Sequence, residues 1–168
     1  VSIILVANLD MNDGIGDSNG ELLFDIKEDK KFFKQLTSNK KVVMGRKTWD
    51  SLPEQFKPLP RRKNFVLTRD KELVLEGAKT VDLDEVINMS KSSDIYIIGG
   101  GEIYELFLPY ADEMYLTHVH KIHIDAQVFF PTFEYKDWDI VGGLNKKKGK
   151  LKDGTDLTYT FTHYVKNK

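Results

Sequence analysis

Short runs of β-branched and apolar residues alternate along this chain with stretches of helical period, and that alternation predicts its elements in order. A strand is predicted over residues 2–9, followed by a polar, glycine-bearing loop over 10–23. Asp25, with Glu28 three positions on, reads as a capping box. Ile26, Phe32, Phe33 and Leu36 give the helix behind it one apolar face that runs out at Ser38-Asn39. A second strand over 41–44 meets Gly45 and a short helix over 46–52 that Pro53 stops, and three prolines make 53–62 a loop. Strands follow over 63–68 and 79–81, then a helix over 83–89 with Asp82 at its cap. Residues 95–98 are apolar throughout, as in strands buried inside parallel sheets. They lead into Gly99-Gly100-Gly101 and a helix over 102–108.

Beyond residue 110 the pattern changes to strand-like alternation over 114–120, 138–148 and 155–166. The last two are joined across Asp153-Gly154 as an antiparallel hairpin. Strands alternating with helices before a closing hairpin predict an α/β fold. The expected form is a single domain, 1–168, with a mostly parallel central sheet, helices on both faces and a C-terminal antiparallel hairpin. Ligands of such sheets sit outside the carboxyl ends of the strands, which is where the loop over 10–23, Gly45, Thr68-Arg69 and Gly99 all emerge.

Composition narrows the partners. The chain has 168 residues, with 25 basic and 26 acidic side chains well mixed, so it carries no footprint for a nucleic acid or an anionic membrane. Cysteine is absent, which excludes disulfides and thiolate metal sites, and the opening VSIILVANLD lacks a basic flank or a cleavage signal. The expectation is a soluble, cytoplasmic monomer.

Several segments carry candidate chemistry. Three glycines between a buried strand and a helix let backbone approach a ligand closely and suit a phosphate. Gly45-Arg46-Lys47-Thr48 repeats that arrangement with two cations, which oppose the helix dipole and are explained by a bound polyphosphate or by a solvated basic turn. Thr68-Arg69 adds a third donor pair, so the set suits a dinucleotide with an extra phosphate. Gly14-Ile15-Gly16 with Gly20 departs from the dinucleotide fingerprint by one position and reads instead as a mobile loop over a site.

Asp29 is the residue hardest to explain as surface. Steps of 100° place it near the middle of the apolar stripe, where a carboxylate must be paired, ligand-facing or raised in pKa. His118 and His120 fall on one strand face and His123 on the other, so no metal is expected. Trp49, Trp138, Tyr159 and Phe161 read as core, and no serine and histidine cluster marks a nucleophilic triad.

Together these pieces resemble the dihydrofolate reductase family over essentially the whole chain. The resemblance rests on Ile15-Gly16, Asp29 with Phe33, Val43-Met44-Gly45-Arg46-Lys47-Thr48-Trp49 and Pro58-Leu59-Pro60-Arg61-Arg62-Lys63-Asn64. It continues through Ile97-Ile98-Gly99-Gly100-Gly101-Glu102-Ile103-Tyr104, Tyr115-Leu116-Thr117-His118 and Phe130-Pro131. It implies NADPH-dependent reduction of 7,8-dihydrofolate and sensitivity to antifolate inhibitors. Asp29 would hold the pterin with support from Thr117, and Phe24 would take the position of a conserved site tryptophan. Phe33, Leu52 and Leu59 would wall the p-aminobenzoyl group, with Arg62 on the glutamate carboxylate and Lys30 beside it at the rim. Ala7 and Ile98 would line the crevice shared by pterin and nicotinamide. Ile15, Gly16, Gly45, Arg46, Lys47 and Thr48 would hold NADPH, together with Leu67, Thr68, Arg69 and the run from Gly99 through Glu102, Ile103 and Tyr104.

The chain departs from the family pattern in four places. Phe24 stands where a tryptophan is usual and Leu23 where a proline precedes it. Lys30 follows the acid in place of a neutral side chain, and Gln127 replaces a small acidic residue that contacts the first loop. A pyrimidine reductase of riboflavin synthesis shares fold and cofactor but lacks the Asp29 and Arg62 pairing. A non-catalytic NADP-binding protein is the alternative from another class.

Overall fold

A computed structural model describes residues 1–143 and 145–167. Among these residues the strands are β1 (Ile3–Leu9), β2 (Gly14–Gly16), β3 (Lys41–Gly45), β4 (Lys63–Leu67), β5 (Ala78–Val81) and β6 (Ile95–Ile97). They continue as β7 (Glu113–Val119), β8 (Val128–Phe129), β9 (Trp138–Gly142), β10 (Lys147–Lys150) and β11 (Asp156–Lys166). The helices are α1 (Lys27–Thr37), α2 (Arg46–Ser51), α3 (Leu83–Met89) and α4 (Gly101–Phe107).

Nine strands form one sheet in the order β10-β11-β7-β1-β6-β3-β4-β5, with β9 beside β11. From β7 to β5 every neighbouring pair is parallel, and β11 pairs antiparallel with β7, β9 and β10. Apolar β1, β6 and β3 lie in the middle of the sheet, where both faces are covered. Leu5, Val43, Ile97 and Phe107 belong to the core on one face, under α3 and α4. Ile4, Val6, Met44 and Trp49 belong to the core on the other, where Phe33 and Leu36 of α1 pack. The predicted α/β architecture with helices on both faces is therefore present.

Local chemistry set several boundaries differently. The capping box expected at Asp25 does not form: α1 starts after Ile26 with no side-chain cap. Asp25 is drawn away by Lys30 and Lys152, whose ammonium groups lie 2.6 and 2.9 Å from its carboxylate. The box that does form belongs to Asp82 and Glu85 at the start of α3. The single strand expected over 138–148 breaks after Gly142. Gly143 has φ +84°, and a Cβ there would come within 1.9 Å of the Phe161 carbonyl oxygen, so this turn requires glycine. The chain then rejoins the same edge of β11 as β10, and the expected hairpin closes across Asp153-Gly154. Within the loop predicted over 10–23, β2 pairs antiparallel with β8, a two-stranded ribbon too short to show a period. No helix among the described residues is long and apolar enough to cross a membrane.

Candidate active site

The carboxyl ends of β1, β3, β4 and β6 open into a groove of about 560 Å³. Strand alternation decides what β1 presents there: Leu5, Ala7 and Leu9 pack toward the α3 and α4 face, whereas Ile4, Val6 and Asn8 point the other way. Ala7, expected in the crevice, thus turns its methyl into the opposite core, and Asn8 lines the groove. Asn8 lies level with Thr117 in the parallel β1 and β7 pair.

Asp29 comes between them from the first turn of α1, where the helix dipole favours a negative charge. The Thr117 hydroxyl donates to Asp29 Oδ1 at 2.6 Å, and the Asn8 amide donates to Oδ2 at 2.8 Å. Burial raises the Asp29 pKa above the ordinary carboxylate value, and these two hydrogen bonds pull it back in part. Each oxygen has accepted one internal donor and keeps a lone pair for a ligand.

The helical repeat carries the site outward from that acid. Phe33, one turn on, and Leu36 join Leu52, Leu59 and Ile98 in one apolar cluster. At its far end the Arg62 guanidinium sits 5.8 Å from the centre of the Phe33 ring and donates to Thr37 Oγ1 at 3.1 Å and to the Pro60 carbonyl at 2.9 Å. Asn64, which closes the motif from Pro58 without a role of its own in the sequence, fixes this corner. Its amide is buried, donates to the carbonyls of Leu59 and Arg62, and accepts from the Leu59 N–H.

The groove itself is walled by Gly45, Arg46, Lys47, Thr48, Leu67, the three glycines 99 to 101, Glu102, Ile103 and Tyr104, with Ile15 and Gly16 of the first loop above them. The Gly45 N–H donates to the Gly99 carbonyl at 2.9 Å, tying two strand ends together, and Gly99 has φ +129°. The Tyr104 hydroxyl donates to the Val6 carbonyl and anchors α4 to β1. Thr68 and Arg69 lie outside the groove wall, with Arg69 exposed at the end of β4. Arg46 is partly engaged already, since its Nε donates to both oxygens of Asp50.

The first loop is pinned by a residue that periodicity does not mark. Asp10, 2% exposed, accepts from the N–H groups of Asn12, Gly14 and His123. The Gln127 N–H donates to the Gly16 carbonyl, so the departure at 127 still contacts this loop through its backbone.

Phe24 and Lys30, like Ala7, are placed elsewhere than expected. Phe24 is 1% exposed, packed among Ile26, Val119, Leu157 and Tyr159 with its ring edge-on to His123, so it is core and brings no polar atom to the crevice. The Lys30 ammonium pairs with Asp25 rather than standing beside Arg62, because Asp25 lies five residues back and supplies a nearer charge. The histidines are held by neighbours: His118 by the Tyr164 hydroxyl and His120 by Thr158 and Thr160.

Comparison with known proteins adds the family. The dihydrofolate reductase family profile matches residues 2–166. A dihydrofolate reductase of Buchnera aphidicola is 37% identical over 163 residues, covering 96% of this chain and 97% of that one. The Bacillus subtilis dihydrofolate reductase is 31% identical over 166 residues, covering 98% and 94%. Among solved structures, a dihydrofolate reductase from Enterococcus faecalis, complexed with NADP(H) and RAB-propyl, superposes with a TM-score of 0.85 at 24% identity. It covers 99% of this chain and 97% of that one. With a buried acid between strand and helix and a glycine-lined groove beside it, this chain belongs to the dihydrofolate reductase family.

Proposed function

We propose that the protein reduces 7,8-dihydrofolate to 5,6,7,8-tetrahydrofolate with NADPH, adding hydride at C6 and a proton at N5, for one-carbon metabolism. The observation that carries this reading is the spacing along α1. Asp29 and the Thr37–Arg62 contact lie eight residues apart, about 12 Å at 1.5 Å per residue, with an apolar wall between them. A ligand matching that wall has a hydrogen-bonding heterocycle at one end, an aromatic middle and an anionic tail.

The groove residues fit a dinucleotide. The cradle is backbone and small side chains: a Cβ added at Gly100 would have only Thr48 Oγ1, at 3.7 Å, for a neighbour, so a phosphate can approach the main chain. Gly45, Arg46, Lys47, Thr48, the three glycines, Glu102, Ile103 and Tyr104 would hold NADPH. Ile15 and Gly16 would cover it, and Leu67, Thr68 and Arg69 would stand at the phosphorylated adenosine end. When bound, NADPH supplies the hydride.

The chain's own residues do the rest. The Asp29 carboxylate takes the pterin N3 and 2-amino groups on its two free lone pairs, and Thr117 holds the carboxylate in register. The proton that N5 gains reaches it through water, and burial of Asp29 raises that carboxyl's proton affinity beside the path. Phe33, Leu52 and Leu59 orient the p-aminobenzoyl group, and Arg62 pairs with the α-carboxylate of the tail. Closure of the Ile15-Gly16 loop excludes bulk water. The protein acts as a cytoplasmic monomer, and compact antifolates with a protonatable amidine edge pair with Asp29. Steady-state turnover with dihydrofolate against the pyrimidine substrate of riboflavin synthesis tests the reading. Dihydrofolate is the expected substrate, and turnover of the pyrimidine alone overturns it.

A further inference from the structure

Among the described residues, the carbonyl oxygen of the Asn8 side chain is a buried acceptor with no hydrogen-bond partner. Asn8 is 9% exposed and lines the groove, and its other amide atom is committed to Asp29 at 2.8 Å. The orientation of the amide follows from chemistry. An ionised carboxylate offers acceptors alone, so the NH₂ end must face Asp29 and the oxygen must turn away. An acceptor withdrawn from water without a donor is costly, and only the ligand crevice can bring one.

We propose that Asn8 is a positioning and specificity-determining residue. Its amide holds the Asp29 carboxylate, and its free oxygen receives an N–H carried by a heterocycle bound in the crevice. The choice of ligands rests on the function proposed above, which supplies two such donors. One is the N8–H of the dihydropterin, which fully oxidised folate lacks because its N8 presents a lone pair. The other is the carboxamide NH₂ of nicotinamide, which a 3-acetylpyridine analogue of the cofactor lacks.

The test uses the full chain and its Asn8→Leu and Asn8→Ala variants, each checked for a cooperative melt, with dissociation constants read from quenching of protein fluorescence. The four ligands are dihydrofolate, folate, NADP⁺ and its 3-acetylpyridine analogue. The native protein is expected to prefer the donor-bearing member of one pair by about five- to tenfold, the worth of one neutral hydrogen bond. In both variants that preference falls toward unity, and the pair that responds identifies the donor. Unchanged preferences in both pairs overturn the assignment of the oxygen. The variants also remove one donor from Asp29, so the pH midpoint of dihydrofolate binding should move upward, and an unmoved midpoint overturns the positioning role. Native protein that binds neither folate would instead refute the proposed function, while the nucleotide pair still tests Asn8.

Discussion

Replacing Asp29 with Asn leaves the shape of the side chain and removes its charge. In the native site each carboxylate oxygen accepts one internal donor, from Thr117 at 2.6 Å or Asn8 at 2.8 Å, and faces the ligand with the lone pair that remains. Asn keeps one acceptor oxygen and turns the other position into a donor, which meets a ligand N–H head-on. Two charge-assisted hydrogen bonds at about 1.5–3 kcal/mol each are then lost or weakened. We expect a loss of about 3–5 kcal/mol of transition-state stabilisation, or roughly 10²–10⁴-fold in kcat/KM at neutral pH. Residual activity should rise as pH falls, because a higher proton concentration in solvent then favours protonation at N5 without the carboxylate's help. The assay is steady-state dihydrofolate reduction from pH 5 to pH 9 on a variant shown to be folded, and a loss under tenfold at pH 7 refutes the assignment.

The same carboxylate makes a stability prediction of defined sign. Its folded pKa is raised by burial, so above the ordinary carboxylate range the native state binds more protons than the unfolded chain and loses stability as pH climbs. Thermal melts should therefore show Asp29→Asn gaining on the native protein between pH 4 and pH 7, and a gap that does not widen contradicts the burial. Arg62→Met removes the cation at the far end of the Phe33 wall and should raise KM for dihydrofolate about tenfold, with little change for a pterin lacking the glutamate tail; equal losses would place Arg62 elsewhere. Arg69→Ala should raise KM for NADPH far more than for NADH, and equal weakening would show that Arg69 does not read the 2′-phosphate. Lys30→Leu, with its ammonium committed to Asp25, should leave dihydrofolate affinity unchanged at low and high salt; a salt-dependent loss would restore it to the site.

The parts of this fold legible in sequence are those where one local pattern decides. The cap at Asp82, the apolar Ile95–Ile97 strand and the glycines after it needed no tertiary information, and angular arithmetic on α1 placed Asp29 among apolar neighbours. The failures share a cause, competition from partners that the local pattern does not show. Asp25 has the spacing of a cap, yet Lys152 and Lys30 claim its oxygens. Lys30 sits at the edge of the right stripe, but Asp25 is within its reach. Phe24 matches a family position without bringing a polar atom, so its burial shows only once Leu157 and Tyr159 arrive from β11. Asn8 had a readable signal: a polar residue on the face of β1 shared by Ile4 and Val6 must find a partner, and counting by two along the strand selects it over Ala7.

Transfer of label tests the account most directly. Incubation of the protein with dihydrofolate and NADPH carrying deuterium at the transferable C4 position should yield tetrahydrofolate labelled at C6, with one NADPH consumed per product. NADPH oxidation that does not depend on dihydrofolate, or product without deuterium at C6, would contradict it.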